Sequence, residues 1–470
     1  MSPACHLFPL VSLTSLPVQL HVLSGICCYC CCCFFLLFFS SFFTVATAAA
    51  ASSTTTTTGA AASIFEKLGS GHFSFSDSEV LTKSKEEILW QACTDGDLEV
   101  AKKLAYDPAV DVNWGDPEYG RTPFYRACFF GWTCVVEYLM RIPRVDVVQQ
   151  QSQRATPFLI ACENGHKEVV SLLLADPRID PNKPKDTGGT PFFVACQSGY
   201  LEVVSLLLAD QRIDPNKPRN NGATPFFMPC QNGHKEVVSQ LLADPRIDPN
   251  KADDEGFTPF SVACQNGHKE VVLLLLADPR MDPNNPKDDG ATPFFMASQN
   301  GHKEVISLLL ADPRIDPNMP RDTGATPFFI VCQEGQKEVA SLLLADPRID
   351  PNMPLDDQST PLWYASQNGH LVIVRLLLAS GRDIDTSTRS TYIKKTAAEQ
   401  GRAMGERTAK TENETEEEYQ RRKTSGPICA DLIDDYEREP EHLRVLHQLR
   451  RQPGLREYFI GHLCPGGLPL

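Results

Sequence analysis

"TPFFVACQSGYLEVVSLLLADQRIDPNKPRNNGA", residues 190–223, is one copy of a unit that tiles most of this chain. A Thr-Pro pair opens at Thr122, Thr156, Thr190, Thr224, Thr258, Thr292, Thr326 and Thr360, each 34 residues after the last. Self-similarity at a fixed period of this size is the mark of a repeat architecture. Within the unit, Thr190 caps a helix through its hydroxyl, and Pro191 sits where a missing N–H costs nothing. Phe192, Ala195 and Cys196 give that helix a short apolar face, and Gly199 supplies the left-handed residue that stops it. Val203, Val204, Leu206, Leu207 and Leu208 spread over a wide face of a second helix. Asp210 to Pro215 ends it, and "NKPRNNG" is turn chemistry. One helix pair cannot bury its own apolar surface, whereas stacked copies can. The predicted fold is an all-α solenoid of helix-turn-helix units.

At this point the chain resembles the ankyrin-repeat family. That family's Thr-Pro-Leu-His opening stands here as "TPFF" and variants. Its Gly-His start to the second helix appears as Gly165-His166 and Gly233-His234, and its Asp-x-Asn turn as Asp180-Pro181-Asn182. The extra residue of the 34-residue period falls in "ADPRIDPN". The resemblance covers residues 86–437 and implies an ankyrin solenoid with hairpin-like turns. Two departures stand out. The family's His is replaced by Tyr125, Leu159, Phe193, Phe227, Ser261, Phe295, Phe329 and Trp363, so packing must replace its hydrogen bonds. Pro229 stands where its counterparts are Ala161, Ala195, Ala263 and Ala297; counted from Thr224 it is the fifth helical residue, where proline removes a bond and crowds a carbonyl.

The array is expected at 86–391, with an imperfect first repeat at 86–121 and eight full repeats from 122. A degenerate last repeat at 392–437 contains a polar insertion, 406–427. Before the array lie an uncharged segment 1–24, a candidate membrane segment 25–46 and a low-complexity linker 47–85; a tail, 438–470, follows it.

The chain has 470 residues and a formal net charge of −15, which excludes a general nucleic-acid binder needing a basic face. The 17 cysteines do not form a small disulfide framework: six recur at repeat spacing in one slot of the first helix, as small core residues. His166, His234, His268, His302 and His370 also recur one repeat apart. Stacked helices lie about 8–10 Å apart, too far for two of these to hold one zinc, which needs ligands at about 2 Å. No phosphate-binding loop or nucleophile elbow appears, so neither catalysis nor a cofactor is expected.

The resemblance implies a cupped hand, with turn tips as fingers and first helices as palm. The variable palm position falls on Arg126, Ile160, Val194, Met228, Val262, Met296, Ile330 and Tyr364. Three residues on, Gln197, Gln231, Gln265 and Gln299 form a polar row. The fingers carry Lys185, Arg219, Asp253, Lys287, Arg321 and Leu355, usually followed by an acid such as Asp186, Asp288 or Asp322, and such mixed signs would set register and on-rate more than affinity. Two readings of the apolar stripe stand side by side: a groove gripping another protein's segment, or side chains packed between neighbouring first helices. The near-identity of the copies fits either a partner with repeated motifs, held by avidity, or recent tandem duplication. A protein–protein scaffold is the expected function; a substrate-recruiting subunit of an enzyme complex and a plain spacer are the rivals. The array is expected in the cytoplasm.

"ICCYCCCCFFLLFFSSFF", residues 26–43, lies in an uncharged run from Gly25 to Ala46 that is long enough to span a bilayer. It reads as a transmembrane or signal anchor, as a cleaved signal peptide, or as a non-coding tract rendered as protein.

Overall fold

A computed structural model describes residues 83–411 and 413–438. The N-terminal segment, the candidate membrane segment 25–46, nearly all of the linker and the tail beyond Arg438 lie outside the described residues. Among the described residues there are twenty α-helices and no strand, and no helix is long and apolar enough to cross a membrane.

The helices come in pairs: α1 (Lys85–Asp95) with α2 (Leu98–Tyr106), α3 (Pro123–Phe130) with α4 (Thr133–Met140), and α5 (Pro157–Glu163) with α6 (Lys167–Leu174). Next are α7 (Pro191–Ser198) with α8 (Leu201–Leu208), α9 (Phe227–Asn232) with α10 (Lys235–Leu242), and α11 (Pro259–Gln265) with α12 (Lys269–Ala277). Then follow α13 (Pro293–Gln299) with α14 (Lys303–Ala311), α15 (Pro327–Glu334) with α16 (Lys337–Ala345), and α17 (Pro361–Gln367) with α18 (Leu371–Leu378). The last pair is α19 (Ala397–Gly405) with α20 (Glu416–Arg438). First helices stack on first helices and second helices on second helices.

The local chemistry is the one the unit spells out. Thr190 Oγ1 accepts from the Phe193 N–H at 3.2 Å, Pro191 occupies the first helical position, and Gly199 closes α7 at φ +78°. Phe158, Phe192, Phe226, Phe260, Phe294 and Phe328 form a fully buried column, as do the paired valines and leucines of the second helices. Each buried phenylalanine contributes roughly 1.5–3 kcal/mol relative to exposure. The residues at the family's histidine position, from Tyr125 to Trp363, are all buried too; most of them pack, while Trp363 Nε1 donates to the Lys395 carbonyl at 3.0 Å and Ser261 Oγ to the Thr258 carbonyl at 2.9 Å.

Polar ladders join successive units through backbone groups. The Nε2 of His234 donates to the Gln197 carbonyl at 3.0 Å, and His268, His302 and His370 repeat this on Gln231, Gln265 and Gln333. These histidines are latches between repeats. A clip forms in "ADPRIDPN": Asp244 pairs with Arg246 at 2.7 Å, and Arg246 Nη2 donates to the Leu208 carbonyl at 2.8 Å. That carbonyl belongs to the last turn of the preceding second helix, where it has no helical donor. The side-chain amide of Asn216 donates to the Arg246 carbonyl at 2.6 Å and its oxygen accepts from the Asp248 N–H at 3.3 Å. Three backbone-directed contacts thus recur at most junctions.

Two local expectations are corrected. In the repeat containing Pro229 the helix begins at Phe227 rather than after Thr224, so Pro229 is its third residue and not its fifth. There its missing N–H is one of the unpaired donors of any helix start. The Phe227 N–H instead turns back to Thr224, meeting Oγ1 at 3.2 Å and the carbonyl at 3.1 Å.

The polar insertion 406–427 is helical from Glu416 onward, as the first half of α20. Its face is held by ions rather than aliphatics: Glu414 is buried and pairs with Arg407 at 2.9 Å and Arg422 at 3.2 Å, while Arg421 Nε donates to the Asn368 carbonyl at 3.0 Å. α19 and α20 cross through glycine. A Cβ on Gly401 would sit 2.6 Å from the Gly426 carbonyl oxygen, and one on Gly426 would sit 2.5 Å from that of Gly401.

Candidate functional site

The palm begins with the first-helix residues that follow the buried opening. Ile160, Val194, Met228, Val262, Met296 and Ile330 are only 1–7% exposed. Their position is set by the side chains on either side of them. Met296 and Ile330 pack with Phe295, Phe329, Ala291 and Ala325 in a small apolar layer beside the main core, and Leu355 and Tyr364 close its edge. The ring of Tyr364 meets that of Phe329 edge-on at 4.9 Å, and burial raises its phenol pKa. The stripe therefore packs between neighbouring first helices in the free array, and only its two ends, Arg126 and Tyr364, are half-exposed.

The Gln row lies one turn further along. Gln197, Gln231 and Gln265 are half-buried and Gln299 is exposed. Their carbonyls serve the repeat contacts: Asn232 Nδ2 donates to Gln197 O at 2.8 Å beside the His234 latch, and Asn266 and Asn300 do the same on Gln231 and Gln265. The side-chain amides of Gln231, Gln265 and Gln299 are left on the palm surface.

The finger cations fold back over the aromatic floor. Arg219 lies over the Phe193 ring at 5.7 Å, Arg321 over Phe295 at 5.5 Å and Lys287 over Phe257 at 4.5 Å, all within cation–π range. Lys185 reaches the palm itself and pairs with Glu163 at 2.9 Å. Arg126, at the start of the row, lies 4.5 Å from the Trp90 ring and 4.7 Å from Phe130, and donates to Thr94 Oγ1 at 3.1 Å. Burial is the main reason that its pKa falls below the ordinary guanidinium value, with Arg121 adding to it. The structure thus brings the cations and the amide row to one face and withdraws the apolar stripe beneath them.

Two exposed features escape a sequence reading. Phe130 and Trp132 remain 38% and 40% exposed at the first full repeat, and Tyr392 is 85% exposed on the last finger. Trp132 takes the slot that Tyr200 and the latch histidines fill elsewhere, over Gly96 of the preceding repeat, with its Nε1 donating to the Thr94 carbonyl at 2.9 Å. The described cysteines are all free, and all but Cys134 are buried; burial pushes their thiols up, that of Cys93 to about 12. Among the described residues no group of three or more His, Cys, Asp or Glu is placed to hold a metal.

A family model for "Ankyrin repeats (3 copies)" matches residues 89–185, 134–219, 158–253, 192–287, 230–321 and 295–388. No curated protein matches the chain.

Proposed function

Because this chain belongs to the ankyrin-repeat family, whose arrays mediate protein–protein interaction, we propose that it is a non-catalytic binding scaffold that takes its partner on the palm and fingers. The observation that carries this reading is the placement of the finger cations Arg219, Lys287 and Arg321 over aromatic rings at whole-repeat intervals, beside the row of Gln231, Gln265 and Gln299, with Arg126 at the start of the palm. The buried stripe serves as the floor that holds them, so Ile160, Val194, Met228, Val262, Met296 and Ile330 act on binding through position rather than contact. The unpaired thiols support a reducing compartment such as the cytoplasm.

The test is site-specific photocrosslinking in cells with the full-length chain. A photoreactive side chain at Gln265 should capture a partner protein, whereas one at Leu273, which is exposed on the opposite helix α12, should not. Capture from Leu273 alone would place binding on the outer helices and reject the palm.

A further inference from the structure

The first full repeat departs from its siblings at the start of the palm. At the end of the first helix the other copies carry Gln or Glu, followed by Asn, Ser or Glu; here Phe129 and Phe130 stand in those two positions. One turn earlier is Arg126, where the six middle copies have Ile, Val or Met. In an array whose copies run nearly alike, a cation and two rings in these places make a surface of different chemistry.

That surface is fixed by its own contacts. The Thr94 hydroxyl accepts the Arg126 Nε–H at 3.1 Å, and the Thr94 carbonyl accepts the Trp132 Nε1–H at 2.9 Å. Trp90 Nε1 donates to the Arg121 carbonyl at 2.8 Å, which holds its ring 4.5 Å from the Arg126 guanidinium. Phe130 flanks the same guanidinium at 4.7 Å and meets Phe129 edge-on at 5.0 Å. Phe130 and Trp132 each keep more than a third of their surface exposed. Side chains already held in place lose little freedom when a ligand arrives.

Arg126 lacks an acid. Thr94 takes one of its five N–H donors, and the four on Nη1 and Nη2 have no hydrogen-bond partner among the described residues. Nor does any described carboxylate lie in ion-pair range, whereas Arg212, Arg246 and Arg280 each pair with an aspartate two residues earlier. The acids whose charge reaches it are engaged elsewhere: Asp116 accepts the N–H groups of Glu118, Tyr119 and Arg121, and Asp95 accepts the Gln91 amide. Arg121 adds a second positive charge beside it and rests on the Tyr119 ring at 3.9 Å. A half-buried guanidinium in this state binds a carboxylate strongly through its fork.

Spacing selects the form of the ligand. Arg126 and Phe130 are four residues apart on α3, a rise of about 6 Å. In an extended chain the side chains of residues i and i+2 share a face, about 6.6 Å apart. An acid and an aromatic residue with one residue between them therefore reach the guanidinium and the rings together.

Resting on the palm reading above, we propose that the start of the palm is a docking site for an extended segment of another protein with the pattern acid-x-aromatic. The carboxylate takes Nη1 and Nη2 of Arg126, and the aromatic side chain covers Phe130 and Trp132. A nucleotide is the weaker match. Trp90 and Trp132 each use a ring face, on Arg126 and on Gly96, so no slot between these two rings is left for a base.

The test is fluorescence anisotropy of the full chain with labelled peptides. The probe is Gly-Ser-Ser-Glu-Ser-Phe-Ser-Gly; the controls carry Gln for Glu, Ala for Phe, or Glu and Phe side by side. With a net charge of −15 the chain as a whole repels an acidic peptide, so a preference for Glu over Gln reports local contact. The probe should bind about tenfold tighter than each control. Arg126→Lys keeps the charge without the fork and should lose most of that preference, with a thermal midpoint close to wild type. Equal binding of the Glu and Gln peptides, a full preference in the Arg126→Lys chain, or tighter binding of adenosine monophosphate than of the probe would each overturn the proposal. A photoreactive phenylalanine analogue at Phe130, used in cells, separates this site from the rest of the palm. Capture there that Arg126→Lys abolishes supports the site. Capture at Gln265 but not at Phe130 ends this proposal and leaves the palm reading intact; capture at neither, with no peptide bound, ends both.

Discussion

The imidazole of His234 covers the α-carbon of Gly199 so closely that a Cβ there would lie 2.6 Å from its Nδ1. The same ring donates to the Gln197 carbonyl, so it needs Gly199 both for the left-handed turn and for room. Tyr200 occupies the equivalent slot over Gly165, but among the described residues its hydroxyl has no hydrogen-bond partner. Tyr200→His should therefore add one latch and stabilise the array by about 0.5–1.5 kcal/mol, less the ring contact that is lost. Urea unfolding of the full chain checks this, and an unchanged midpoint would show that the ring contact matters as much as the bond.

Pro229 has shortened its helix instead of breaking it. An interior proline costs about 3 kcal/mol, but at the third helical position most of that is avoided and the loss is the missing first turn. Pro229→Ala should let the helix start after Thr224, as its siblings do, and raise stability by about 1 kcal/mol. The urea midpoint and amide protection at Met228 and Cys230 report it. A gain near the full interior cost would contradict the late start.

His370 carries a pH dependence of definite sign. Burial, then the charge of Arg421, lowers its pKa from the ordinary 6.5 to about 4, against the upward pull of the Gln333 carbonyl. The folded chain keeps the ring neutral while the unfolded chain takes a proton near 6.5, so stability falls as pH drops from there toward 4 and is flat outside that window. The loss is at most about 3 kcal/mol and smaller for a ring that is partly solvated. His370→Gln copies Gln336, whose amide makes the same latch to Gln299, and should flatten this slope in urea midpoints taken between those pH values.

Glu414 sits between Arg407 and Arg422 with 3% of its side chain exposed. Replacing it by Gln leaves two partly buried guanidinium groups without their shared charge, which should cost about 2–4 kcal/mol. Because α20 also docks on Asn368, the loss should appear first as faster amide exchange in α19 and α20, before the middle repeats respond. Uniform loss along the whole array would instead mean that the terminal pair unfolds together with the rest.

The parts of the fold that depend on neighbours in sequence were legible: the Thr-Pro caps, the glycine stops and the apolar second helices. The parts that depend on a residue one repeat away were not. Arg246 reaches a carbonyl at Leu208, and nothing near Arg246 in the chain names it. The palm position could be counted off from the repeat, but whether Val262 faces water is decided by the side chains beside it on adjacent helices, and it is buried. The first half of α20 read as a polar insertion because its inward side is built from Tyr419, Arg421 and Arg422, which carry no hydrophobic period.

The latches, clips and Asn bridges between units address main-chain carbonyl and N–H groups, which every residue type offers alike. A junction of this kind constrains its neighbour mainly through the glycine beneath each latch ring and the packed first-helix side chains. Because these are nearly the same in the middle copies, whole units can be gained or lost by unequal crossing-over with little repacking of a seam, and each event lengthens or shortens the row of fingers by one step. Copy number becomes a heritable ruler: lineages of this gene can tune the span of the surface they present while leaving its grain unchanged.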